Sequence, residues 1–90
     1  MGFYTTSISG KLISQQQGSG TLSEGPEYYL IPSGKYAHWK KILIRKKTHL
    51  WQEDPILHPF VNRQIKIKAD ITETKDTITI DYISVILLEN

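Results

Sequence analysis

The sequence predicts an all-β domain closed into a small barrel, and three observations carry that reading. Residues 63–88, RQIKIKADITETKDTITIDYISVILL, form two alternating runs around a polar break. A side-chain period of two with β-branched enrichment marks strands that bury one face. Shorter apolar runs recur upstream, divided by Gly, Pro and Ser. Gly10 interrupts the earliest run. A strand that bends around a barrel corner favours such a residue.

In the first half of the hairpin, Ile65, Ile67, Ala69 and Ile71 face one way and Gln64, Lys66, Lys68 and Asp70 the other. After the break at 72–76, Ile78 and Ile80 alternate with Thr77, Thr79 and Asp81. Tyr82 keeps that phase, but Ile83, Val85 and Leu87 take the opposite parity. A bulge near Asp81 and Tyr82 reconciles the two halves. The alternative is a strand buried on both faces at its end.

Upstream, residues 4–14 form the first strand, with Thr6, Ile8, Gly10 and Leu12 on one face. Residues 15–26, QQQGSGTLSEGP, read as a long polar loop. Residues 27–32, EYYLIP, are a short strand bounded by Pro26 and Pro32, and Ser33-Gly34 opens a turn. Residues 40–47, KKILIRKK, form the third strand, its terminal lysines guarding against edge pairing. Between 48 and 61 the period of two disappears. Glu53-Asp54-Pro55 resembles a helix start, with acids at the positive end of the dipole and proline in the first turn. Ile56, Leu57, Phe60 and Val61 are placed on one side of it, and Pro59 keeps it short and partly 3₁₀. Asn62 closes it in a left-handed conformation.

Ninety residues without cysteine make one domain, 1–90, with no disulfide framework and no thiolate metal site. The absence of cysteine favours a reducing compartment, and the expected location is cytoplasmic. The net charge of +2 is too small to argue for nucleic acid by itself. No run is long enough to span a membrane, and the first residues lack the pattern of a signal peptide. Gly2 and Thr6 match the permissive myristoylation pattern, but Phe3 and Tyr4 read as strand, so the match reads as chance.

Strand, strand, strand, short helix, strand, strand is the element order of the OB-fold, a five-stranded barrel that binds oligonucleotides or oligosaccharides. The chain resembles small single-domain OB-fold proteins of bacteria. The resemblance rests on Gly10, on EDPILHPFVNR leading into QIKIKADITE, and on DTITIDYISV. Asn62 and Ala69 stand where that pattern often has glycine. The fold predicted is an all-β, five-stranded antiparallel OB-fold-like barrel with a short helix between strands three and four. An SH3-like barrel is the alternative.

The densest chemical feature is residues 35–47, KYAHWKKILIRKK, which hold six of the eleven basic residues and no acid. Tyr36 and Trp39 lie within it, and Tyr28 and Tyr29 just before. A basic groove with aromatic platforms is how single-stranded nucleic acid is commonly held. Strands two and three carry the binding face of an OB-fold. Tyr29, Tyr36 and Trp39 are therefore the candidate stacking residues, and Lys40, Arg45, Lys47, Lys66 and Lys68 the candidate phosphate contacts. The competing reading puts Trp39 and one tyrosine in the core and makes the lysines a solvated face. Glu53, Asp54 and His58 have spacing that a metal could in principle use, but an acidic cap with a surface histidine explains them far better. No catalytic or phosphate-loop motif occurs, and no cofactor or metal is expected. The sequence thus points to a non-enzymatic binding module for single-stranded nucleic acid. Its alternative is a protein-interaction module or homodimer, paired through a strand edge and the apolar run ISVILL.

Overall fold

A computed structural model describes residues 2–17, 25–48 and 52–88. Five strands, β1 (Gly2–Gln17), β2 (Gly25–Pro32), β3 (Ile42–Arg45), β4 (Gln64–Glu73) and β5 (Ile78–Leu87), close into a barrel in the order β1-β2-β3-β5-β4. Four of the contacts between neighbours are antiparallel; β3 and β5 run parallel. This is an OB-fold-like barrel. Its parallel pair follows from the crossover in which β4 intervenes in sequence between β3 and β5.

The long first strand makes closure possible. β1 pairs with β4 from Gly2 to Lys11 and with β2 from Gly10 to Gln17. Gly10 therefore sits at the corner, with Pro32 on one side and Ile65 on the other. A Cβ at this position would lie 2.2 Å from the backbone carbonyl oxygen of Ile31. The missing side chain is what lets β2 approach. Both β1 and β2 run further into the polar segment than the sequence pattern indicates, and the rest of that expected loop, 18–24, lies outside the described residues.

The alternating residues fill the barrel as their period requires. Ile8, Leu12, Tyr28, Leu30, Ile42, Ile44, Ile65, Ile67, Ala69, Ile71, Ile78, Ile80 and Tyr82 are all buried. Each fully buried Leu or Ile contributes about 1.5–3 kcal/mol. The phase change in β5 is a bulge: Ala69 pairs with Tyr82, but Lys68 pairs with Ser84, leaving Ile83 extra. Val85 is thereby turned to pair with buried Ile67 and packs against the core, while Ile83 is half exposed.

The helix expected between strands three and four is only a 3₁₀ turn, His58–Phe60. One bond of α-helical span, from His58 N to Asp54 O (2.8 Å), is followed by shorter-span bonds from Phe60 N to Leu57 O and from Val61 N to His58 O. Pro59 has no N–H to continue the first pattern. Leu57 is buried, and Phe60 and Val61 pack against the core. Ile56, expected beside them, is instead 52% exposed, because so short a turn cannot keep four apolar residues on one side. Asn62 has the left-handed φ of 68° and donates its N–H to Leu12 O at 2.7 Å, which ties the turn to β1. A second 3₁₀ turn, Gly34–Tyr36, enters through Gly34 at φ 71°.

Replacing Gly10 with alanine is predicted to lower stability by about 1–3 kcal/mol or more, since backbone must move to admit the methyl group. Urea denaturation followed by tryptophan fluorescence measures it. A Gly34→Ala control tests left-handed strain without crowding, because nothing lies within 4 Å of a Cβ there; it is predicted to cost about 1 kcal/mol.

Candidate functional site

The outer face of β2, β3 and β5 carries a row in which Tyr29 pairs with Leu43 and Leu43 with Thr79. Parallel β3 and β5 begin at the same end of the barrel, so the turn that enters β3 and the loop that enters β5 come together there. Between them lies a cleft of about 520 Å³ lined by Tyr29, Trp39, Lys40, Lys41, Leu43 and Asp76, with His38 and 77–79 completing it. Trp39 is held by a bond from its backbone N–H to Tyr36 O (3.0 Å) and packs partly against the core. Its indole N–H is buried and has no acceptor among the described residues.

Three of the sequence candidates meet in this cleft: Tyr29, Trp39 and Lys40. Lys41, which the sequence did not single out, joins them. Its ammonium lies 4.4 Å from the centroid of the Tyr29 ring and donates to Gln15 Oε1 at 2.9 Å. The contact places a cation over an aromatic face, an attraction of about 0.5–1 kcal/mol at exposed sites.

The other candidates lie elsewhere. Tyr36 is 7% exposed and belongs to the core. Its hydroxyl donates to Tyr4 Oη (3.3 Å), and that hydroxyl donates to Glu73 Oε1 (2.9 Å), so its ring offers no open face for stacking. Arg45 faces outward beyond Leu43 but pairs with Asp81 at 2.5 Å, and the two half-exposed charges offset one another. Lys47 places its ammonium 4.5 Å from the Tyr82 ring centroid, away from the cleft. Lys66 and Lys68 are on β4, across the barrel from the boundary between β2 and β3, in a separate depression with Ser7, Ser84 and Ile86.

Sequence reasoning took Asp54 for part of a helix start and missed its place in the interior. Its side chain is 1% exposed at the residue level and accepts four hydrogen bonds. Tyr82 Oη (2.6 Å) and Lys47 N (3.0 Å) donate to Oδ2, and Ile56 N (2.8 Å) and Leu57 N (3.3 Å) to Oδ1. Its backbone N–H donates to Tyr28 Oη at 3.2 Å, and Tyr28 Oη lies 3.1 Å from His58 Nδ1. Burial pushes the Asp54 carboxyl up, but the bond from Tyr82 and those from three backbone N–H groups outweigh it and hold the group below its usual value. Burial first, and then the bond to Asp54, raise the Tyr82 phenol well above its usual value. With its oxygens filled by donors, Asp54 has little to offer a metal. No cluster of three or more ligating side chains occurs among the described residues. The signal that could have found Asp54 was Tyr82 on the inward phase of β5: a buried phenol needs an acceptor.

This network makes stability depend on pH at both ends. The folded Asp54 value is depressed, so its contribution is complete above the ordinary carboxylate value near 3.8 and is lost as pH falls below it. The folded Tyr82 value is raised, so its contribution is complete below the ordinary phenol value of 10.0 and is lost as pH rises above it. Tyr82→Phe leaves Asp54 one donor short and is predicted to cost about 1–3 kcal/mol at neutral pH. The same change should shrink the alkaline loss without abolishing it, since burial also raises Tyr28. Thermal melting across the pH range, compared with wild type, reads both effects.

Comparison of the chain with protein-family models, with curated proteins and with solved structures finds no match, so the reading of the site rests on its geometry.

Proposed function

We propose that this chain is a non-enzymatic binding module of the OB-fold kind that holds a short stretch of single-stranded nucleic acid in the cleft over β2, β3 and β5. The observation that supports it most is the meeting of Tyr29, Trp39 and Leu43 with Lys40 and Lys41 in one open cleft. Flat apolar surfaces beside two ammonium groups suit bases and phosphates together. The cleft also lies on the face where OB-fold barrels take their ligands. Only two lysines line it, so phosphate contacts are few and affinity is modest.

A second reading, self-association or pairing with another protein, has its own support. Ile83, Ile86, Leu87 and Leu88 are 45–56% exposed near the end of the chain. β3 accompanies β5 only as far as Asp81. Apolar surface beside a strand edge without a neighbour along its length is a place where another chain can add. Among the described residues no helix is long and apolar enough to cross a membrane.

Fluorescence anisotropy with a labelled single strand tests the first reading. Affinity is predicted to fall with added salt at a log–log slope of about −1.4, the value for two phosphate contacts on a single strand. Lys40→Glu with Lys41→Glu is predicted to abolish binding, while Lys66→Glu with Lys68→Glu, on the other wall, leaves it nearly unchanged. Absence of binding at low salt, with a concentration-dependent rise in mass by light scattering, would instead support the second reading.

A further inference from the structure

The loop that enters β5 places one acid, Asp76, in the lining of a cleft whose other charged residues are Lys40 and Lys41. That loop is locked by its own bonds. Thr74 N donates to Thr77 O (2.8 Å), while Thr74 Oγ1 accepts from Asp76 N (3.3 Å) and from Thr77 N (3.0 Å). The two threonine hydroxyls lie 2.8 Å apart. The backbone at Asp76 is thus fixed, yet its carboxylate has no hydrogen bond or ion pair among the described residues. It lines the same cleft as Tyr29, Trp39, Lys40 and Lys41.

In a groove meant only for phosphates, a free carboxylate weakens binding by repulsion. Its useful partner is a donor, and on a single strand the donors are on the base edges. A carboxylate presents two acceptors side by side. Guanine offers two parallel donors, N1–H and the N2 amino group, and so meets both oxygens. Cytosine and adenine each offer one amino group. Thymine and uracil offer a single imide N–H between two carbonyl oxygens that repel the acid. Bidentate pairing of this kind is what distinguishes bases most strongly.

We propose that Asp76 makes the cleft selective for guanine, its carboxylate accepting from N1–H and the N2 amino group of a base lodged against the cleft's aromatic wall. The inference rests on the nucleic-acid reading above. It explains why an acid stands in a cleft built around two lysines, and it names a specificity residue outside the basic run that the sequence brings to notice.

The test uses the whole chain and four labelled strands: a short oligothymidylate, and the same strand with one central guanosine, adenosine or cytidine. Wild type is predicted to bind the guanosine strand about tenfold more tightly than the plain strand, with adenosine and cytidine between them. Asp76→Ala retains the backbone and threonine bonds of the loop. It is predicted to bring all four strands within about twofold of one another while leaving plain oligothymidylate bound as well or better. Thermal melting of the variant confirms the fold. Binding of all four strands alike by wild type, or a guanosine preference that survives in Asp76→Ala, overturns the role of Asp76 and leaves the cleft reading standing. Failure of wild type to bind any strand overturns the nucleic-acid reading itself.

Discussion

β1 can pair with β4 and β2 at once only because residue 10 has no side chain. A strand that passes from one neighbour to another must let the second approach as the first departs. At Gly10 that approach brings the Ile31 carbonyl into the space a Cβ would fill. The rest of the barrel follows from the closure. β2 is carried around to meet β3, β3 meets β5, and the row of Tyr29, Leu43 and Thr79 forms on the outside. The cleft thus depends on a backbone contact on the far side of β2.

Asp54 secures the same barrel where the connection between β3 and β4 crosses its end. Among the described residues of that segment, Leu57 is the fully buried apolar anchor, with Phe60 and Val61 partly covered. Buried polar groups are costly unless their partners are complete. Here they are nearly so: one carboxylate joins the turn, β3's exit at Lys47 and the inward phenol of β5. The arrangement ties that connection to β5 by hydrogen bonding. It also keeps Lys47 away from the cleft, since the residue's N–H is committed to Asp54 and its ammonium lies against the Tyr82 ring.

The strands were legible in the sequence because a period of two survives almost intact. Ile65, Ile67, Ala69 and Ile71 are all inside, and even the break in phase after Tyr82 correctly marked a bulge. The short, partly 3₁₀ character of the element between β3 and β4 was legible from Pro59, but that it is no more than a 3₁₀ turn was not, because acids before a proline begin either form. At the candidate site, the basic run pointed to the face that carries the cleft but could not separate its members. Tyr36 and Trp39 are three residues apart in one turn, yet one fills the core and the other lines the cleft. Arg45 and Lys40 look equivalent in sequence, but parallel pairing sets Asp81 beside Arg45. Lys66 and Lys68 alternate correctly to the outside, but barrel order puts them on another wall. Non-local pairing decides each of these, and a single sequence does not display it.

The central claim is that the outer face of β2, β3 and β5 is where a ligand sits. Backbone amide and indole NMR shifts during titration with a short single-stranded oligonucleotide test it most directly. The account predicts that the Trp39 indole N–H and the amides of Tyr29, Lys41, Leu43, Asp76 and Thr79 move together and saturate, while those of Ser7, Lys66, Lys68 and Ser84 stay in place. Shifts centred on that second group, or no shifts at all at saturating ligand, would contradict it.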